Sequence, residues 1–161
     1  MQILVSDTSV LIDIERASLT ARLFDLPFEF VVPDVLYEAE LLDWIGPDLV
    51  DRGLRVVALS SAEVSEAVLL RRARASLSVP DVFALALAAA RDWVLLTGDG
   101  ALREEATKRD VAMHGVLWLF DQLEDGNICG TEELRSGLEA LRDHPRCRLP
   151  AREISARLKR Y

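Results

Sequence analysis

The sequence predicts an α/β protein whose central, mostly parallel sheet is covered by helices on both faces. Three observations predict it. Strand-like and helix-like runs alternate across the first two thirds of the chain, 50% of its 161 residues are apolar, and aspartates recur where a strand gives way to a loop or a helix begins. That length and apolar content suffice to bury one sizeable core, so residues 1–161 are expected to form a single domain.

Gln2 to Ser6 is a short aliphatic run that reads as the first strand, after which Thr8 or Ser9 can cap a helix using Val10, Leu11 and Ile14. Phe28 to Val32 reads as a second strand. It meets Pro33-Asp34, a proline suited to a first helical turn and an acid that complements its dipole, so a helix to about Trp44 follows. Its buried stripe is expected at Val35, Leu36, Ala39 and Leu42, and Ile45-Gly46-Pro47-Asp48 breaks it. Leu54 to Leu59 is the next strand, and Ser60-Ser61 with Glu63 caps a helix through Arg74. Ser78-Val79-Pro80-Asp81 starts another by the same proline-then-acid logic. Its body, Phe83 to Ala90, is almost entirely Leu and Ala, as suits a helix buried on several sides. Trp93 to Leu96 is a short strand ended by Thr97-Gly98-Asp99-Gly100, Ala101 to Arg109 an amphipathic helix, and Val111 to His114 a last strand. Helical spacing then recurs over Leu117–Leu123, Glu132–Leu141 and Ile154–Leu158, separated by Gly126, Gly130, Pro145 and Pro150.

Composition narrows the function. The longest apolar stretch, Val82 to Ala90, stops well short of the roughly 20 residues a bilayer crossing needs, and Met1-Gln2-Ile3-Leu4 reads as strand rather than leader, so a cytosolic protein without a membrane span is expected. Cys129 and Cys147 form no zinc or disulfide pattern, His114 and His144 stand isolated, and no serine occupies a nucleophile elbow. The formal net charge of −8 opposes a nucleic-acid partner. Yet the final stretch carries Arg142, Arg146, Arg148, Arg152, Arg157, Lys159 and Arg160 against Asp143 and Glu153 alone, so charge is polarised along the chain.

The chemistry that remains is carboxylate chemistry. Open α/β sheets bind ligands just outside the carboxyl ends of their strands, and Asp7, Asp81 and Asp99 fall at such places. Gathered together, their oxygens suit a hard divalent cation, which phosphodiester hydrolysis uses to activate water and neutralise charge. Taken singly, Asp7 equally suits a helix N-cap, Asp81 a first-turn acid and Asp99 a turn residue, so the joint pattern carries the weight. For a fourth acid the helix after Pro33 offers Glu38 and Glu40, which fall on opposite borders of the expected stripe, and periodicity does not choose between them.

On these residues the chain resembles the PIN-domain ribonucleases, which include the VapC toxins. The match runs through Val5-Ser6-Asp7-Thr8-Ser9-Val10-Leu11-Ile12, Val32-Pro33-Asp34-Val35-Leu36-Tyr37-Glu38, Asp81 with Ala86 and Ala88, and Leu95-Leu96-Thr97-Gly98-Asp99. The resemblance covers about residues 2–120 and leaves about 121–161 as a helical C-terminal extension, longer than a compact VapC-like toxin has. It implies a three-layer α/β/α sandwich and an Mg²⁺- or Mn²⁺-dependent endoribonuclease with Asp7, Glu38, Asp81 and Asp99 as catalytic acids. Asp7, Asp81 and Asp99 would hold the metal, supported by the hydroxyls of Ser9 and Thr97. The alignment favours Glu38 over Glu40. Implied partners are an RNA substrate, a small antitoxin protein and a second copy of the chain. Arg71, Arg72, Arg74 and Arg103, with Lys108 and the basic tail, are the candidate RNA-contacting cations. Two rival readings are a non-catalytic PIN-like module acting through a protein partner, and an aspartate-nucleophile phosphotransferase. The latter wants a second acid where this chain has Ser9.

Overall fold

Five parallel strands, β1 (Gln2–Ser6), β2 (Phe28–Pro33), β3 (Arg55–Val57), β4 (Val94–Leu96) and β5 (Met113–His114), form one sheet in the order β3-β2-β1-β4-β5 in a computed structural model that describes residues 1–161. The chain lays down β1, β2 and β3 toward one edge, then returns to place β4 on the other side of β1. The reversal opens a crevice between the carboxyl ends of β1 and β4. Leu4, Val5 and Ser6 pair with Val94, Leu95 and Leu96 there, and the Asp7 N–H donates to the Leu96 carbonyl at 2.9 Å.

Side chains alternate across the sheet and build two cores. Leu4, Phe30, Val32, Val94 and Leu96 face the larger one. It is covered by α1 (Thr8–Arg16), α2 (Thr20–Leu23), α8 (Val116–Asp125), α9 (Thr131–Arg142) and α10 (Ala151–Arg160). Val5, Val31 and Leu95 face the other, against α5 (Ser61–Ala73), α6 (Val79–Arg91) and α7 (Gly100–Lys108). The expected α/β/α layering is observed. As its composition predicts, α6 is the most buried helix, with Val82 and Ala84 through Ala88 all inside. No helix is long and apolar enough to cross a membrane.

Several local expectations are corrected. The strand expected over Leu54–Leu59 shortens to Arg55–Val57. The segment expected to break a helix at Gly46-Pro47-Asp48 instead starts one, α4 (Gly46–Arg52), using the proline and first-turn acid that start its neighbours. The helix after Pro33 begins as α3 (Asp34–Leu36) and widens into a π-helical turn over Tyr37–Leu41, where the Leu42 N–H reaches back five residues to the Tyr37 carbonyl at 2.8 Å. That turn shifts the buried stripe. Leu36 and Leu41 are inside, whereas Ala39 and Leu42 are exposed.

The C-terminal extension is bound into the larger core rather than appended to it. Leu134, Leu138, Leu141, Ile154 and Tyr161 are buried there. Arg157 joins α10 to α8 by donating to both carboxylate oxygens of Asp121, at 2.8 and 2.6 Å.

Candidate functional site

The carboxyl ends of β1 and β4 carry a hydrogen-bonded chain of side chains. Asp7 is the N-cap of α1: its Oδ1 accepts from the Val10 N–H at 3.0 Å and from the Ser9 hydroxyl at 2.9 Å. Its Oδ2 accepts from the Thr97 hydroxyl at 2.5 Å. The Thr97 oxygen in turn accepts from the Asp99 N–H at 3.0 Å, and Asp99 caps α7 by accepting from the Leu102 N–H at 2.8 Å. Ser9 and Thr97 thus touch Asp7 directly, and Thr97 bridges the ends of two strands.

Asp81 enters from the first turn of α6, whose N-cap Ser78 accepts from the Asp81 N–H at 3.2 Å. Its charge joins the same field. Burial, and to a lesser degree Asp81, pushes the Asp7 carboxyl up to about 6, against hydrogen bonds from Thr97, Val10 and Ser9 that favour its charged form. Burial, with Asp99 contributing, raises the Asp81 carboxyl as well. Burial outweighs mutual repulsion at both carboxyls.

The oxygen-only donors, of which Asp7 and Asp81 are held toward their protonated forms, fit a hard divalent cation in chemical type. The arrangement is open, however: no group of three or more His, Cys, Asp or Glu is close enough to hold one ion. Asp7, Asp81 and Asp99 interact as successive pairs. Glu38 and Glu40 both lie exposed on the π-helical turn, outside the hydrogen-bonded chain.

The candidate cations divide. Arg74 is spent on Glu104 at 2.7 Å and Glu105 at 3.4 Å, and Lys108 on Glu105 at 3.2 Å. Arg71 and Arg72 are exposed at the end of α5. That end lies beside the start of α6, because Arg91 near the end of α6 holds Glu63 near the start of α5. Arg103 borders the site and donates from Nε to the Thr97 carbonyl at 3.0 Å.

The loop between α9 and α10 is the part sequence reasoning placed least well. It brings His144, Arg146, Cys147 and Arg148 over a cavity of about 270 Å³ that also holds Ser9, Asp13 and Asp99. Arginines of the basic tail therefore face the acids across that space. The only advance signal was their charge. His114, which joins no ligand cluster, instead lays its ring on that of Trp118.

Comparison with known proteins agrees with this architecture. The family model DUF3368, described as a PIN domain, matches residues 3–161. No curated protein matches the chain. Among solved structures, a PilT N-terminus domain protein from the hyperthermophilic archaeon Sulfolobus solfataricus P2 is similar in fold. It has a TM-score of 0.55 at 16% identity, over 77% of this chain and 95% of that one.

Proposed function

We propose, from the premise that this chain belongs to the PIN-domain family, that it is a divalent-metal-dependent endoribonuclease hydrolysing RNA phosphodiester bonds. PIN domains are a nuclease-type fold, and one observation carries the reading further. Asp7 and Asp99 stand on the two sides of the crevice where the strand order reverses, with Asp81 in the same electrostatic field. In this reading Asp7, Asp81 and Asp99 hold Mg²⁺ or Mn²⁺, and Glu38 joins them or orients the attacking water. The chemistry a bound cation supplies is activation of water and neutralisation of the leaving oxygen. Ser9 and Thr97 fix the Asp7 carboxylate, so its oxygens need no reorganisation when a ligand arrives. Arg146 and Arg148, facing Asp99 across the cavity, give the RNA backbone phosphates a counter-charge on an otherwise acidic protein.

Asp81→Ala should abolish metal-dependent RNA cleavage while leaving the circular dichroism spectrum unchanged; undiminished cleavage would refute the assignment. The open arrangement of the acids favours a second reading, a non-catalytic binding module. Calorimetric titration separates the two. A nuclease centre takes up Mn²⁺ beyond what the quadruple Asp7, Glu38, Asp81, Asp99→Ala variant takes up, and a module does not.

The toxin form of this proposal adds a cytosolic setting, a small antitoxin and a homodimer. Exposed Leu42, Trp44 and Val50, following the turn that carries Glu38, are apolar surface of the kind a partner chain covers. A short reading frame beside the gene, whose product co-purifies with this chain, is the observation expected.

A further inference from the structure

Beside the carboxylate crevice lies a second cavity, of about 450 Å³, bounded by the start of α8, the α9–α10 loop and α10. Its walls carry two kinds of group that take no part in holding the proposed metal or activating water. One is a column of rings. His114 lies flat on Trp118, with 3.9 Å between ring centres and 4° between planes, and Trp118 is stacked in turn on Phe28 at 5.5 Å. Phe28 is partly buried and packs against the larger core, so the column is anchored at that end, while His114 and Trp118 border the cavity.

The other is a pair of guanidinium groups without acidic partners. Arg103 is held only through Nε, by the Thr97 carbonyl. Its Nη2 lies over Gly115, where a Cβ would sit 2.6 Å from it. The bare backbone at Gly115 is what admits the guanidinium. Arg148 also borders the cavity and makes no ion pair, whereas Arg157 in the same wall is fully engaged by Asp121. Arg148 and Gly98 line this cavity and the neighbouring one that holds Ser9 and Asp99, so the two spaces adjoin.

We propose that this second cavity is a nucleotide subsite, in which a nucleobase stacks on the His114–Trp118 column while Arg103 and Arg148 bind its phosphate. The occupant is a nucleotide of single-stranded RNA flanking the bond presented to Asp7 and Asp99, and to that extent the inference rests on the nuclease reading. Stacking tolerates every base, and phosphate contacts carry no sequence, so the subsite contributes grip and register rather than a strict sequence code. A free mononucleotide offers the same base and phosphate, and the test separates the two.

Binding of a fluorescein-labelled hexaribonucleotide to the full chain is measured by anisotropy in EDTA, where no cleavage occurs. His114→Ala and Arg148→Gln should each weaken binding about tenfold, the scale of one stacked base or one charged contact. His114→Tyr should restore it by returning a flat ring. An abasic ribose at the stacked position should weaken binding to the native chain and leave His114→Ala unaffected. Unchanged binding by a His114→Ala protein that melts like the native one overturns the proposal, as does a His114→Tyr protein that binds as weakly as His114→Ala. AMP and UMP, followed by tryptophan quenching, should bind far more weakly than the hexamer. If AMP or UMP binds as tightly, with the same dependence on His114, the RNA assignment is overturned in favour of a free-nucleotide site. Because the readout is binding without metal, loss of the nuclease reading through Asp81→Ala would leave this result standing, and the reverse.

Discussion

Asp7 holds two roles that compete in energy. As an N-cap it satisfies the Val10 N–H, a contribution of about 1 kcal/mol. As a carboxylate only 2% exposed, it is costly to ionise, and its pKa rises from 3.8 to about 6. A carboxyl raised on folding binds more protons folded than unfolded between those values. Stability therefore falls as pH rises from about 4 to 6, by about 3 kcal/mol in all if nothing else neutralises the charge. Asp7→Asn keeps an N-cap oxygen and removes the charge. In urea denaturation without metal it should be more stable than the native chain at pH 8, and it should lose the decline between pH 4 and 6. A steeper decline in the variant would contradict this account. Asp7, Asp81 and Asp99 could be read from the chain because each follows a strand or starts a helix. What could not be read was how deeply Asp7 is buried, since that depends on Thr97, 90 positions away, closing over it. The N-cap role and the proposed metal role, weighed as alternatives from sequence, are compatible in the structure.

At the scale of elements, the π-helical turn over Tyr37–Leu41 is the clearest departure from periodicity. A helix of 3.6 residues per turn would bury Leu36 with Ala39; the wider turn buries Leu36 with Leu41 and leaves Glu38, Ala39 and Glu40 outside. Such turns sit disproportionately at functional sites, which agrees with a role for Glu38. The turn depends on Gly46, the first residue of α4. A Cβ there would stand 2.6 Å from the Leu41 carbonyl oxygen and 2.7 Å from the Tyr37 ring. Gly46→Ala should therefore cost about 1–3 kcal/mol in chemical denaturation through overpacking. Under the proposed function it should also depress RNA cleavage by displacing Glu38, and an alanine variant as stable as the native chain would show that the turn does not lean on α4. No pattern in the sequence announces a five-residue hydrogen bond. The preceding helix does end before Gly46, but Pro47 with Asp48 also carried a start signal for α4 that the break alone does not convey.

On the scale of the whole molecule, the alternation of strands with helices was enough to foresee a parallel sheet with a core on each face. Where the last three helices dock was not, because an amphipathic stripe announces that a face is buried without naming what buries it. The structure puts α9 and α10 on the larger core, with Leu134, Leu138, Ile154 and Tyr161 inside it. Removing residues 143–161 should thus lower stability by several kcal/mol, visible as a lower urea midpoint, since it uncovers apolar surface and leaves Asp121 without Arg157. A truncated chain melting like the native one would mean that the extension is only an accessory.

The crevice between β1 and β4 also sets when, during synthesis, the candidate site can first assemble. Asp7 leaves the ribosome early, but its Thr97 partner emerges 90 residues later, and only pairing of β4 onto β1 brings the two together. A nascent chain consequently lacks the assembled site throughout most of its synthesis, as does any fragment cut short before β4. For the nuclease proposed above, that delay is a safeguard written into strand order.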